Sequence, residues 1–265
     1  PFHCILSRSE TRVNKEMIEA APKLKVIARA GVGVGNIDVE YATERGILVI
    51  NTPGKNTNSA AELTMGLLLS AFRKIVPAHQ SMQSLNWDRH RFNGGELMNK
   101  CLGIIGLGNV GHRVARYAKA FDMKVQAFDP YLADEVFERH GVQKVDWITL
   151  LNTSDVITFH VPLNDETRGM ISEMEIERMK PGVILLNTAR GGVINETSLL
   201  NALHSGHVAA AGIDTWEVEP PRDNPFSQLP QVVMSPHIGA STSEAQIRIA
   251  ESIATQVPRA LRGEV

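Results

Sequence analysis

The stretch Leu102-Gly103-Ile104-Ile105-Gly106-Leu107-Gly108-Asn109-Val110-Gly111 decides the fold. A short apolar run of strand character passes straight into G-x-G-x-x-G, and Val110, Val114, Tyr117 or Ala118, and Phe121 then recur at helical spacing. A strand, a glycine-rich turn and a helix are therefore expected in succession. Gly106 makes the tight turn, Gly108 lets the backbone approach a pyrophosphate, and Gly111 permits close packing of helix on strand. At the helix start, Asn109 and Val110 offer N–H groups and a positive dipole end to the phosphates. The next strand ends at Asp129, 18 residues beyond Gly111. A carboxylate there can bind both ribose hydroxyls of an adenosine and would repel a 2′-phosphate, so NAD is expected over NADP. The turn alone would equally suit an ordinary tight bend or a methyltransferase that uses S-adenosylmethionine. The flanking strand, the helix and Asp129 together favour a dinucleotide.

The same alternation of short β-rich runs and longer helical segments continues outward in both directions, which is the pattern of βαβ units and a parallel sheet. Strands are expected at 2–6, 24–28, 47–50, 102–105, 124–128, 156–159, 183–186, 209–213 and 232–234, too many for one sheet of usual size. The fold class is α/β. Between Ser59 and Asn86 the apolar residues Leu63, Leu67, Ala71 and Ile75 repeat at fours while Met65, Leu68, Leu69 and Phe72 cover other faces. Such a helix is expected to be buried between domains, with Pro77 kinking or ending its rear part. Near the end of the chain Ile249, Ile253, Val257 and Leu261 form another stripe, which Ser241 and Glu244 are spaced to start as a capping box.

Composition narrows the function further. The chain has 265 residues, 21% of them charged and 43% hydrophobic, as in ordinary globular proteins. With 27 basic against 29 acidic residues and no long run of like charge, neither nucleic acid nor an anionic membrane is an expected partner. No apolar run approaches the roughly 18 residues of a membrane span, and no secretory leader is evident, so a cytoplasmic location is expected. The two cysteines, Cys4 and Cys101, form no CxxC pair. His204 and His207 form H-x-x-H without an evident third ligand, so solvated histidines are favoured and no metal is expected.

In open α/β sheets ligands sit beyond the carboxyl ends of the strands. Four strands in the second half end in polar residues: His160; Asn187 to Arg190; Asp214 to Glu219; and Ser235 to Thr242. Arg190, Asp214, Glu219 and His237 are thus candidates for one cleft. Oxidising an alcohol to a carbonyl needs a base near the working pH, which suits His237 between Pro236 and a Gly-Ala turn. A carboxylate such as Glu219 would orient the ring and stabilise its charged form, and the fork of Arg190 would bind a carboxylate. Each has a plainer reading, as a packing histidine, a solvated glutamate or a loop cation. A second glycine cluster, Gly31-Val32-Gly33-Val34-Gly35, leads to no ribose acid; its amides would hold a carboxylate, or it is a structural turn.

These residues in this order resemble the D-isomer-specific 2-hydroxyacid dehydrogenase family. The matching stretches are ARAGVGVGNID (28–38), NTPGKNTNSAAELT (51–64), GLGNVG (106–111), LLNTARGGVINE (185–196), AAGIDTWEVEPP (210–221) and SPHIGAST (235–242). The resemblance implies an NAD-dependent oxidoreductase of D-2-hydroxy acids, in which Arg190 binds a small anionic 2-hydroxy or 2-keto acid and Glu219 and His237 form the catalytic pair. It further implies that Gly106, Gly108, Asn109, Val110, Gly111, Asp129, His160, Thr188 and Asp214 bind the cofactor, Asp214 near the nicotinamide carboxamide, and that Val32 and Gly33 help hold the substrate carboxylate. Residues 1–86 would be a flavodoxin-like substrate domain with a linking helix, 87–240 a Rossmann-type doubly wound NAD domain, and 241–265 a helix returning to the first domain. Closure of the cleft between the two domains would exclude water, and a homodimer or homotetramer would form through the NAD domain.

The run GASTSEAQ (239–246) and Ser7-Arg8-Ser9 resemble members that act on a phosphorylated hydroxy acid, so Arg8 would face a phosphate, with Arg12 a second cation. The alternatives are a hydroxypyruvate, glyoxylate or other 2-ketoacid reductase of the family, or a dinucleotide-sensing protein like its corepressors. Gly35 stands where the family often has Asp. The family's opening strand and helix are not found before Pro1, so the first domain is expected to be N-terminally incomplete.

Overall fold

The structure, a computed structural model, describes residues 2–264; Pro1 and Val265, at the outer ends of the expected first and last segments, lie outside the described residues. Backbone contacts divide the chain into a smaller unit, Pro1–Ser59 with Ala240–Val265, and a larger one, Ala60–Gly239.

The smaller unit contains β1 (Cys4–Ser7), α1 (Lys15–Glu19), β2 (Val26–Arg29), α2 (Val39–Glu44) and β3 (Leu48–Ile50). The strands pair in parallel in the order β1-β2-β3, with Cys4 opposite Val26 and Val26 opposite Leu48. Its short helices are started by side-chain caps: Asn14 accepts from the Met17 N–H and Asp38 from the Tyr41 N–H. These caps satisfy donors that a one-turn helix leaves open. Val13, Ile18, Leu24, Ile27, Ile37, Ala42 and Ile47 form the core on one face.

The larger unit takes in most of α3 (Thr57–Phe72) and then α4 (Ile75–Gln83), β4 (Cys101–Ile105), α5 (Asn109–Ala120), β5 (Lys124–Phe128), α6 (Asp134–His140), β6 (Gln143–Lys144) and α7 (Trp147–Thr153). It continues with β7 (Val156–Phe159), α8 (Glu173–Glu177), β8 (Val183–Asn187), α9 (Glu196–Ser205), β9 (Val208–Ile213) and β10 (Val232–Met234). The final helix, α10 (Ser243–Arg262), belongs to the smaller unit, where Ile253 packs on Val26, Ala28 and Ile50.

Among the described residues the larger sheet is wholly parallel, in the order β10-β9-β8-β7-β4-β5-β6. Successive strand residues point to opposite faces, so both faces are apolar and both are covered. Leu102, Ile104, Ile184 and Leu186 pack with Val114, Ala118 and Phe137 on one side, whereas Ile105, Phe159 and Leu185 pack with Leu151, Leu199 and Leu203 on the other. The expected α/β class and Rossmann-type doubly wound sheet are therefore present. The strand order reverses between β4 and β7, and such a switch point leaves a crevice at the carboxyl ends of those two strands.

Three local expectations are corrected. The long helix from Ser59 breaks at Lys74, which has a left-handed φ of 51°, and not at Pro77, which sits within the first turn of α4. Pro lacks an N–H that the first turn does not need, so it is tolerated there. No residue of α4 is buried. The cap of α10 is Thr242, whose side chain accepts from the Ala245 N–H, in place of the expected Ser241 box. The two-residue edge strand β6 was not expected at all.

Candidate active site

The glycine-rich turn lies at the switch point, between the ends of β4 and β7. Gly106 has a φ of +89°, and a Cβ on it would come within 2.7 Å of the His160 carbonyl oxygen. A Cβ on Gly111 would meet the Gly106 carbonyl oxygen at 2.1 Å, so the helix can seat on the turn only through a glycine. At Gly108 a Cβ would meet nothing within 4 Å, which leaves that backbone open to a ligand. Gly108 is also the N-cap of α5 and supplies no side-chain cap, so the first N–H groups of the helix, those of Asn109 and Val110 included, are not spent on a side chain. The Asp129 carboxylate accepts from the Leu107 N–H at 3.0 Å and the Tyr131 N–H at 3.1 Å, which fixes it beside the turn. A glycine cradle, an uncapped helix start and a fixed carboxylate fit a dinucleotide, the phosphates on the N–H groups and the ribose on Asp129.

Two further expected cofactor residues lie on neighbouring strand ends. His160 follows β7; its Nε2 pairs with Thr158 Oγ1 at 3.0 Å, and burial pushes its pKa down to about 3, so the ring is neutral. Thr188 follows β8 and is buried, its hydroxyl 2.7 Å from that of Thr64 on α3. Because Thr64 gives its proton to the Ala60 carbonyl, Thr188 is the donor of that pair.

The loops after β8, β9 and β10 bring the other candidates together. Asn187 closes the first loop, its Oδ1 accepting from the Ala189 N–H and its Nδ2 donating to the Arg190 carbonyl. Burial draws the Arg190 guanidinium below its usual range, and the charge of Glu219 works against that. His237 Nδ1 lies 2.8 Å and 3.0 Å from the two oxygens of Glu219, and the Trp216 N–H donates to Glu219 Oε1 at 3.1 Å. Burial works to raise the Glu219 pKa, but the hydrogen bonds from His237 and Trp216 and the charges of His237 and Arg190 prevail and hold it below the usual carboxylate range. His237 itself sits at a left-handed φ of 54°.

Asp214 is fully buried beneath this histidine loop. Its Oδ1 accepts from the Ser235 hydroxyl at 2.6 Å and the Ile238 N–H at 2.8 Å, its Oδ2 from the Gly239 N–H at 2.9 Å, and its carbonyl from the His237 N–H at 2.9 Å. Both oxygens are thus engaged in holding the loop that carries His237. Of the residues that brace the set, Asn187 and Ser235 were read from the sequence only as polar strand ends, and Trp216 was given no role.

In the smaller unit, Val32 and Gly33 lie in the loop after β2, where Asn51 Nδ2 donates to the Val32 carbonyl at 2.7 Å. Arg8 follows β1 and donates to Gln246 Oε1 at 2.8 Å. Asn36 links this region: its Nδ2 donates to the Arg8 and Thr11 carbonyls, and its Oδ1 accepts from Arg29 Nε at 3.2 Å. Arg29, the last residue of β2, is a strand-end cation that sequence reading passed over, although the strand-end rule applied to it. A Cβ on Gly35 would meet nothing within 4 Å, so the backbone there does not depend on glycine. Among the described residues no three His, Cys, Asp or Glu side chains gather as they would around a metal ion.

The fold and the glycine turn define a Rossmann-type dinucleotide-binding protein. Residues 65–239 match the family described as D-isomer specific 2-hydroxyacid dehydrogenase, NAD binding domain, and the chain belongs to that family. It is 49% identical over 99% of its length to a D-3-phosphoglycerate dehydrogenase of Archaeoglobus fulgidus, and 50% identical over 98% to one of Methanocaldococcus jannaschii. In both cases it covers 50% of the relative, so the chain spans about half the length of the curated relatives it matches. The D-lactate dehydrogenase of Aquifex aeolicus, solved with NAD and lactic acid, superposes with a TM-score of 0.88 at 31% identity, covering 99% of this chain and 84% of that one.

Proposed function

We propose that the protein is an NAD-dependent dehydrogenase of D-2-hydroxy acids and that its substrate is D-3-phosphoglycerate, oxidised to 3-phosphohydroxypyruvate, a step of serine biosynthesis. The observation that carries this reading is the His237–Glu219 pair at 2.8 Å, with a half-buried Arg190, in a domain with a dinucleotide turn. The names of the relatives support the substrate. Arg8, whose main-chain carbonyl accepts from Asn36 Nδ2, supplies a cation for the phosphate.

The dinucleotide, when bound, supplies the hydride acceptor. His237 Nε2 takes the proton of the substrate hydroxyl while Nδ1 stays on Glu219, whose negative charge stabilises the imidazolium that forms. Arg190 binds the substrate carboxylate and stabilises charge on the oxygen at C2. The C2–H bond breaks with one proton and its electron pair leaving as hydride, while the hydroxyl proton leaves through His237 and the O–H electron pair completes the C2 carbonyl. In the reverse direction the imidazolium returns that proton to the oxygen of the 2-keto acid. Asp129, fixed beside the turn, selects NAD over NADP. A cytoplasmic, homodimeric enzyme fits this reading; no described helix is long and apolar enough to cross a membrane. Exposed Leu85 and Trp87, next to the unburied α4, offer apolar surface for a second copy.

The test is a panel of phosphorylated and plain 2-hydroxy and 2-keto acids with NAD and NADP, read by nicotinamide absorbance on the longest natural form of the chain. Turnover of 3-phosphoglycerate with NAD is expected. H237A should lose about 10²–10⁴ in turnover with cofactor affinity nearly intact. R8A should lose activity on the phosphorylated acid alone; an equal loss on plain acids favours a different 2-ketoacid reductase. NAD binding without turnover of any acid favours a dinucleotide sensor.

A further inference from the structure

We infer that Trp216 is a positioning residue that sets Arg190, Glu219 and His237 in a common register. The inference rests on the proposed reading of those three side chains as the reacting set.

The three arrive on different loops, after β8, β9 and β10, and such loops are less fixed than the strands that carry them. Trp216 contacts all three loops, at Gly191, Glu219 and Ser235. A Cβ on Gly191 would lie 1.8 Å from the Trp216 carbonyl oxygen, so the residue after Arg190 rests directly on the Trp216 peptide. The Trp216 N–H donates to Glu219 Oε1 at 3.1 Å. Its indole Nε1–H donates to the Ser235 carbonyl at 3.2 Å, two residues before His237. The side chain is itself fixed: it is 6% exposed and its ring packs on Phe226 with centroids 6.0 Å apart. A catalytic group must be held to a fraction of an ångström, and that precision comes from a buried neighbour whose own rotamer is locked. Phenylalanine at 216 would keep an aromatic ring against Phe226, though a smaller one, and would remove the indole donor, leaving the Ser235 carbonyl without that partner.

W216F and F226L are compared by steady-state kinetics, NAD titration and thermal melting, with H237A as control. W216F is expected to lower kcat on 3-phosphoglycerate about tenfold and to leave the Kd for NAD within about twofold, because the lost bond lies in the histidine loop rather than in the glycine turn. F226L loosens the packing that holds the Trp216 ring but keeps every donor, so it should lower the melting temperature and lower kcat less than W216F does. Wild-type kcat in W216F, or equal losses of kcat in both variants, overturns the inference. Full turnover by H237A would instead overturn the reading of the reacting set. Should W216F fail to fold, G191A reads the same register from the arginine side: KM for the acid should rise while NAD binding persists, and an unchanged KM overturns the inference.

Discussion

Glu219 is the residue on which the pH behaviour of the site turns. Its carboxyl is held below the usual range by His237, Trp216 and Arg190 in spite of partial desolvation. A depressed folded-state pKa stabilises the protein above the ordinary glutamate value, and that contribution is lost as pH falls through the folded value. E219Q removes it, so the stability difference between wild type and E219Q, followed by urea melts across the acid range, should shrink as pH falls. A difference that grows toward acid pH contradicts this. At neutral pH E219Q should also lower kcat by at least about tenfold, because the imidazolium loses its charged partner. At this same scale the sequence was partly legible. His237 and Glu219 stood out because a strand end followed by turn residues is a recognisable setting. Trp216 did not, because it acts through an N–H, a carbonyl and an indole donor toward residues up to 25 positions away, and no residue type announces such a role.

At the scale of elements, the junction of β4, turn and α5 is the least tolerant part of the molecule. A methyl group on Gly111 would overlap the Gly106 carbonyl at 2.1 Å. G111A must therefore move α5 away from the turn, at a cost of about 1–3 kcal/mol, and weaken NAD together with stability. Denaturant unfolding and NAD titration check the pair, and loss of only one of the two would show that turn and helix are not coupled. This junction was readable because strand, glycines and helix are contiguous in sequence. The break between α3 and α4 was not, since Lys74 takes a left-handed conformation that its residue type does not signal, whereas Pro77 drew the boundary to itself. Strand β6 escaped for another reason: Gln143 and Lys144 are exposed at the sheet edge and carry no apolar alternation.

At the scale of the whole molecule, apolar surface is left uncovered around α4. Leu85 is 91% and Trp87 75% exposed, where singly scattered apolar residues would be unremarkable but neighbours suggest a contact. L85S should shift the proposed dimer toward monomer in sedimentation velocity while the NAD domain stays folded; an unchanged sedimentation coefficient removes this surface from the dimer. The order of the chain has a further consequence. The larger unit is one continuous stretch, but the smaller unit is written in two pieces, and Ile253 of α10 fills the face formed by Val26, Ala28 and Ile50. On the ribosome the first piece emerges early and waits, its apolar face open, until some 200 later residues have been made; the larger unit has its whole sequence in hand sooner and can fold first. Nascent chains halted before residue 243 should therefore bind NAD yet expose the β2–β3 face, so the binding turn is made before the smaller unit can be finished.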